Sequence, residues 1–337
     1  MKKILFFFES SKKIGGGHAY RCLALANIFF NLNWEINIAS VEETRIHFPE
    51  INRYKFLIFN FNQDNYIDLF LKNIDFMDLI VVDHYLLDKN FEKKLAQKSY
   101  KILVIDDLAN REHFCDYLLD QTVMRKSIHY KDLVPRKCKL LLGSKFSLLR
   151  SQFYEKRKMI NVKNKNFSLR KILISFGSSD SKNFTLTALK SVLNSNYDFF
   201  VDIVMGFHDM NNRDLVKNIK KNDRIKIYKN VKNMAELMLN ADLSIGAGGV
   251  SSWERCCLGL PSLIVVTADN QKIIAKNLHK KGAAIDVGWH EELSTEKLTN
   301  QIVFLKNNPK VLQKMSKVAL GICDGLGANR VLNEINK

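Results

Sequence analysis

Short apolar runs recur along the first half of the chain, and helix-like segments separate them. Four of these runs predict β-strands, at residues 1–8, 35–41, 79–82 and 101–105. A helix is predicted at about residues 18–32. Apolar runs of this length, separated by helices, are typical of a doubly wound parallel sheet.

The second half repeats this pattern after a polar, basic stretch at residues 155–170, which predicts a linker. Strands are predicted at residues 171–176, 200–205, 224–228, 242–245 and 261–266. Helices are predicted at residues 183–193, 233–240 and 251–258. The pattern therefore predicts an α/β protein with two Rossmann-like, doubly wound domains that face each other across a cleft. They span residues 1–160 and 168–337, and the last helix can pack back on the first domain.

The amino-acid composition is consistent with two such domains and restricts the classes of binding partner. The chain has 337 residues, of which 46% are hydrophobic. Its net charge is +17, but the lysines are dispersed, whereas nucleic-acid-binding proteins concentrate basic residues on one face. The six cysteines form no CxxC pair, which disfavours a zinc site and is typical of reduced thiols. No run approaches a membrane helix or a secretory signal, so we expect a cytoplasmic protein without stable membrane insertion.

A glycine loop follows the first predicted strand and leads directly into the first predicted helix. Gly15, Gly16 and Gly17 allow a tight turn and close approach of a ligand, and a helix N-terminus binds anions such as a phosphate. His18 is predicted to be a general base, because the helix dipole disfavours the imidazolium. Arg21, one turn later, is predicted to contact phosphate or to pair with an acid. The loop departs from GxGxxG, which disfavours a nicotinamide cofactor, and no cofactor or metal is expected.

A second glycine loop precedes the helix predicted at residues 251–258. Backbone N–H groups of Gly248, Gly249, Ser251 and Ser252 are expected to hold a diphosphate at the start of that helix. Glu254 follows within the helix, and a carboxylate accepts hydrogen bonds from both hydroxyls of a ribose. The alternative is a bare turn followed by a surface acid.

Further polar residues stand at predicted strand ends, where open parallel sheets bind their ligands. Asp83 and Tyr85 follow one strand and the acids at 106–107 follow another, so they are expected to assist the base or to bind sugar hydroxyls. Asn270 follows the strand at 261–266, and Arg150 precedes the linker. Both are expected to reach the ligand, with an ordinary structural role as the alternative.

These motifs resemble those of a known family. Residues 14–26 (IGGGHAYRCLALA) resemble the IGxGHxxRCLALA opening of the PseG family, the UDP-2,4-diacetamido-2,4,6-trideoxy-β-L-altropyranose hydrolases of pseudaminic acid biosynthesis. Residues 82–85, 105–116 and 146–153 are similar to its other segments. Residues 248–261 resemble the nucleotide loop shared with MurG-type GT-B glycosyltransferases, and residues 269–271 match an NQ motif. The resemblance covers nearly the whole chain in order.

The resemblance implies a GT-B fold that holds UDP mainly in the C-terminal domain, and metal-independent hydrolysis. His18 would deprotonate water for attack at the anomeric carbon, with inversion and loss of UDP. Glu254 would hold the ribose, while Asn270 and Arg150 would contact substrate. One departure is Ser178, which stands where the family has glycine, and its Cβ comes close to the expected sugar and disfavours a positive φ.

Other functions remain open at this point. A GT-B glycosyltransferase would pass the sugar of a UDP-sugar donor to an acceptor, and a related nonulosonate hydrolase or hydrolysing epimerase would act on another precursor. A non-catalytic sensor would bind the UDP-sugar without turnover. The expected partners are a UDP-sugar and water, without nucleic acid, and the expected state is a monomer.

Overall fold

The computed structural model describes residues 1–12, 14–60, 66–160, 168–178, 180, 182–206, 222–229 and 231–337. The chain divides into two compact units. The first unit comprises Met1–Arg150 and Leu326–Lys337, and the second comprises Ser151–Gly325. The division at Arg150 precedes the boundary expected at residue 160, and the last helix groups with the first unit.

Parallel strands build both units. The strands of the first unit are β1 (Lys3–Phe8), β2 (Glu35–Ser40), β3 (Lys55–Ile58), β4 (Leu79–Asp83), β5 (Ile102–Ile105), β6 (Tyr117–Asp120) and β7 (Lys139–Leu142). Those of the second unit are β8 (Lys171–Ser175), β9 (Phe200–Met205), β10 (Ile225–Lys229), β11 (Leu243–Ala247), β12 (Ser262–Val266) and β13 (Ala284–Trp289).

Helices connect these strands. They are α1 (Gly17–Phe30), α2 (Glu42–His47), α3 (Tyr66–Lys72), α4 (Lys89–Leu95), α5 (Ser151–Arg157), α6 (Phe184–Leu193), α7 (Met234–Leu239), α8 (Ser251–Cys257), α9 (Lys272–Lys281), α10 (Thr295–Asn307), α11 (Pro309–Ile322) and α12 (Gly327–Ile335). The predicted linker is partly wrong, because its first residues lie in α5. Residues 161–167 of that linker lie outside the described residues.

The first sheet has the order β3-β2-β1-β4-β5-β6-β7, and its neighbours pair in parallel. The central strands β1 and β4 are buried almost throughout because helices cover both faces of such a sheet. Phe7 anchors one face, where its ring makes edge contacts with Phe59, Phe70 and Phe91. The direction in which successive strands are added reverses between β1 and β4, which is the point where such sheets bind ligands.

The second sheet has the order β10-β9-β8-β11-β12-β13 and is also parallel. Its core contains the apolar residues of β8, β11 and β12, packed against α6 and α10. The direction of strand addition reverses between β8 and β11. Each unit therefore has one reversal point, and both predicted glycine loops follow a strand that borders one. In the part of the chain that the structure describes, no helix is long and apolar enough to cross a membrane.

Candidate functional site

The first glycine loop turns the chain from β1 into α1. Gly15 has a φ of +82°, a left-handed conformation that favours glycine, and its N–H donates to the Ser11 carbonyl at 2.7 Å. Gly16 immediately precedes α1, which begins at Gly17. This turn places His18 in the first turn of the helix, as the sequence predicts.

His18 meets Asp83, the last residue of the neighbouring strand β4. The two side chains join through His18 Nδ1 and Asp83 Oδ1, which are 2.6 Å apart. The parallel register places Phe8 of β1 opposite Asp83, so the residues that follow β1 come close to this carboxylate. His18 is only 5% exposed and lies among polar side chains rather than in an apolar core. A histidine oriented in this way by a carboxylate is a recurring element of general-base sites.

Arg21 lies one turn further along α1 and binds the same carboxylate. Its Nε and Nη2 atoms donate to the two Asp83 oxygens at 2.6 and 2.5 Å, and its Nη1 donates to Asp107 Oδ2 at 2.9 Å. Arg21 is 2% exposed. Of the two predicted roles for Arg21, the structure shows the ion pair with acids. The phosphate contact of Arg21 stays a prediction.

Electrostatics keep this cluster charged. Burial raises the pKa of Asp83, but Arg21 and His18 outweigh it and hold that pKa well below its usual range. Burial opposes the charge of Arg21 as well, yet Asp83 and Asp107 hold its pKa well above the ordinary value. The Asp83 carboxylate is therefore an acceptor, and His18 Nδ1 carries the proton that it binds. In the neutral imidazole this leaves Nε2 as the basic nitrogen.

His18 and His84 both lie next to Asp83, and their hydrogen bonds decide which ring has a nitrogen available as a base. Among the described residues, the hydrogen-bond contacts of the His18 ring are made by Nδ1. Both nitrogens of His84 are engaged, because Nδ1 accepts from Leu86 N–H at 3.2 Å and Nε2 lies 3.2 Å from Glu9 Oε2. His18 is therefore the better candidate for a base.

Tyr85 lies against His18 and extends the cluster. The two rings meet edge to face with centroids 4.7 Å apart, and the Tyr85 hydroxyl donates to Asp107 Oδ2 at 3.3 Å. Tyr85 is half-buried. The structure thus brings His18 and Arg21 of α1 together with Asp83 and Tyr85, which lie far from them in the sequence. Asp107 joins this cluster through Arg21 and Tyr85.

Arg150 contacts a different residue of α1. Its guanidinium carbon lies 4.5 Å from the ring centroid of Tyr20, two residues after His18. A guanidinium over an aromatic face is a favourable cation–π arrangement. Arg150 therefore lies beside the first turn of α1.

In the second unit, the glycine loop after β11 is held by Gln271, which belongs to the NQ motif but was not predicted to have this role. Gly248 N–H donates to Gln271 Oε1 at 3.0 Å, and the same oxygen accepts from Thr267 N–H at 3.0 Å. The use of Gly248 N–H by a diphosphate stays a prediction, and in this structure that N–H binds Gln271. A Cβ on Gly249 would meet nothing within 4 Å, so that side of the loop is open.

The expected ligand residues in and near α8 differ in their exposure to solvent. Ser252 is buried, and its Oγ accepts from Arg255 Nη2 at 2.9 Å, which ties the Ser252 side chain to the protein rather than leaving it exposed to a ligand. Ser251 is half-buried at the first position of the helix, and Glu254 is buried one turn later. Asn270 is half-buried in the short turn at Asp269–Gln271.

The Ser178 departure imposes no backbone strain. The left-handed conformation in this loop belongs to Gly177, with a φ of +95°, and Ser178 has no positive φ. The following residue, 179, lies outside the described residues.

Sequence reasoning missed three site neighbours: Tyr20, Gln271 as a loop brace, and Arg255. One signal was available for Arg255, because this charged residue stands directly before Cys256-Cys257 in a predicted helix. In the structure that helix is buried from Ser252 to Cys257, Arg255 included. Such a residue needs a specific partner. For Gln271, sequence spacing carries no such signal.

The comparisons with known proteins agree with this architecture. Residues 171–326 match the glycosyltransferase family 28 C-terminal domain. An uncharacterised protein of Methanocaldococcus jannaschii is 32% identical over 281 residues, which cover 80% of this chain and 57% of that protein. The chain thus spans little more than half the length of this relative. The UDP-2,4-diacetamido-2,4,6-trideoxy-β-L-altropyranose hydrolase of Campylobacter jejuni is 26% identical over 286 residues, covering 84% of this chain and 98% of the hydrolase.

Solved structures identify the fold. The crystal structure of Acinetobacter baumannii MurG superimposes with a TM-score of 0.66 at 16% identity, covering 100% of this chain and 99% of MurG. The two parallel-sheet, Rossmann-like units therefore form a GT-B fold, which confirms the fold class predicted from the sequence.

Proposed function

We propose that the protein is a UDP-sugar-processing enzyme that hydrolyses UDP-2,4-diacetamido-2,4,6-trideoxy-β-L-altropyranose to UDP and the free sugar. The observation that carries this proposal is the 2.6 Å contact between His18 Nδ1 and Asp83 Oδ1, which leaves Nε2 as the basic nitrogen. The similarity to the Campylobacter jejuni hydrolase over 84% of the chain supports the choice of substrate.

In the proposed reaction, His18 Nε2 takes a proton from water as the water oxygen attacks the anomeric carbon. The bond between that carbon and the diphosphate oxygen breaks, and its electron pair leaves with UDP. The configuration at the anomeric carbon inverts. Asp83 stabilises the imidazolium that forms, and Arg21 keeps Asp83 ionised and oriented. A general base in such a step contributes about 10²–10⁴-fold to the rate.

The second unit is proposed to bind the UDP portion. Gly249 of the glycine loop and Ser251 at the start of α8 are proposed to approach the diphosphate, since Gly249 has open space beside its Cα and Gly248 is bound to Gln271. Glu254 is proposed to accept hydrogen bonds from the ribose hydroxyls. Asn270 and Arg150 are proposed to contact the sugar portion of the substrate.

A glycosyltransferase is the second candidate, because residues 171–326 match a domain described as a glycosyltransferase family 28 C-terminal domain. A transferase needs an acceptor, whereas the proposed hydrolase needs only water. A hydrolysing epimerase would differ from both in the stereochemistry of its sugar product.

Proton NMR of the anomeric region separates these functions. The purified protein is incubated with the UDP-sugar in the absence of any acceptor, and the release of UDP and the first-formed anomer are followed. We expect stoichiometric UDP and an inverted free sugar. An intact UDP-sugar without acceptor, or a product with changed configuration at C2, would overturn the proposed hydrolysis.

A further inference from the structure

Arg255 lies beneath the glycine loop of the second unit. It is 2% exposed, and its Nη2 donates to the carbonyl of Ala247, the last residue of β11, at 2.7 Å. Its Nη1 would be 3.1 Å from a Cβ on Gly246, and the same Cβ would be 2.0 Å from the Ser175 carbonyl at the end of β8. The guanidinium is therefore close to the carboxyl ends of β8 and β11, where the second sheet has its reversal point.

This cation differs from Arg21, the buried arginine near the reversal point of the first unit. Arg21 binds two carboxylates, Asp83 and Asp107. Within the described residues, Arg255 forms no ion pair, and its Nε is a buried atom without a hydrogen-bond partner. Its Nη2 donates to the Ala247 carbonyl and to the Ser252 hydroxyl.

An unpaired buried cation is costly, because protein groups replace its hydration only in part. Burial accordingly lowers the pKa of Arg255 to about 10, even though Glu254 and Cys256 oppose the shift. The side chain still carries its charge at neutral pH. A ligand with negative charge at the adjacent loop would supply the missing counter-charge.

We propose that Arg255 is the buried counter-charge for the diphosphate of the bound nucleotide and that it positions the glycine loop at residues 246–249. This inference rests on the proposed function for the identity of the nucleotide. Arg255 acts from behind the loop, so it is a positioning residue rather than a catalytic one. Its contribution should increase with the charge of the phosphate group.

Two substitutions separate charge from hydrogen bonding. Arg255→Lys keeps the charge, whereas Arg255→Gln keeps an N–H donor and removes the charge. Affinities for UDP, UMP and uridine are measured by calorimetry or ligand-observed NMR. We expect Arg255→Gln to weaken UDP binding by about tenfold to hundredfold, which corresponds to loss of a charged interaction. The affinity of Arg255→Gln for uridine should remain nearly unchanged, and its loss of affinity for UMP should lie between the losses for uridine and UDP. Arg255→Lys should retain most of the wild-type affinity for UDP.

Arg157, the last residue of α5, provides a matched control because it binds the C-terminal end of α8. It donates to the carbonyls of Cys257, Cys323 and Leu320 at 2.7, 3.0 and 2.8 Å. Arg157→Gln should lower the unfolding temperature and leave the ratio of UDP to uridine affinity unchanged. Equal losses for UDP and uridine in Arg255→Gln, or no loss for UDP, would overturn the proposal and leave only a structural brace.

Inorganic pyrophosphate distinguishes this inference from the proposed function. The wild-type protein should gain thermal stability with pyrophosphate, and Arg255→Lys should keep most of that gain. If pyrophosphate stabilises the wild type but UDP does not bind, the proposed function fails while the anion site stands. If Arg255→Gln does not fold, the test uses the wild type and Arg255→Lys. An absence of thermal stabilisation by pyrophosphate in both proteins would reject the anion site.

Discussion

Asp83 joins His18 and Arg21 through one carboxylate, with His18 Nδ1 on Oδ1 at 2.6 Å and Arg21 Nε on Oδ2 at 2.6 Å. The contact connects the first turn of α1 to the end of β4. One acid therefore orients the imidazole and neutralises the buried arginine. Changes at these positions should have separable effects on turnover and stability.

His18→Asn should abolish most turnover. The side-chain amide retains polar atoms but has no basic nitrogen, so the rate of UDP release should fall by about 10²–10⁴-fold. Affinity for UDP should stay close to wild type. His129 is an exposed histidine of the same unit, and His129→Asn serves as the control with wild-type turnover. Wild-type turnover in His18→Asn would reject His18 as the base.

Asp83→Asn should reduce stability and alter its dependence on pH. Removing one partner of a buried ion pair leaves Arg21 undercompensated and should cost about 3–5 kcal/mol of the free energy of unfolding. The folded-state pKa of Asp83 lies below its unfolded value, so its contribution is present above about pH 4 and is lost as the pH falls further.

Urea unfolding between pH 2 and pH 7 measures this effect. The wild type should lose stability more steeply than Asp83→Asn as the pH falls below about 4. Asp68→Asn is the control, because Asp68 is an exposed acid of the same unit that pairs with Lys94 at the surface and should leave the acid limb unchanged. Parallel acid limbs for wild type and Asp83→Asn would contradict the assigned ion pair.

Gln271 should matter through its carbonyl oxygen, which accepts from both Gly248 and Thr267. Gln271→Ala leaves a part-buried backbone N–H without its acceptor and should cost about 1–3 kcal/mol. Gln271→Glu keeps an oxygen in place and should preserve stability while weakening UDP binding through charge repulsion. Denaturant titration and calorimetry test the pair, and equal stability of both variants would exclude the brace.

Glu254→Ala should mainly weaken UDP binding, by about tenfold, because the proposed hydrogen bonds to the ribose disappear. UDP that lacks the ribose 2′- and 3′-hydroxyls provides the matched ligand. The wild type should bind that analogue more weakly than UDP, and Glu254→Ala should bind both alike. Calorimetry showing that the variant still discriminates between the two ligands would remove Glu254 from the ribose site.

Much of the fold could be predicted from the sequence because buried parallel strands need continuous apolar runs. The strands at β1, β4, β8 and β12 were recognisable for this reason. By contrast, β3, β6, β7 and β13 were not predicted. Strands β3 and β7 are only four residues long and include exposed lysines at the edges of their sheet, where one side of the strand lacks a covering neighbour. The six-residue β13 contains Asp286 and Gly288, which interrupt its apolar pattern.

The sequence by itself determined the glycine loop, the position of His18 in the first turn of α1 and the presence of two Rossmann-like halves, because these depend on neighbouring residues. Only the tertiary structure decided which acid meets His18, since Asp83 is 65 residues away and reaches it through the register of β1 and β4. Tertiary structure likewise gave Arg21 two carboxylates, whereas Arg255 has none among the residues that the structure describes. The partner of a buried charge depends on which strands folding brings together, so the local sequence pattern does not predict it.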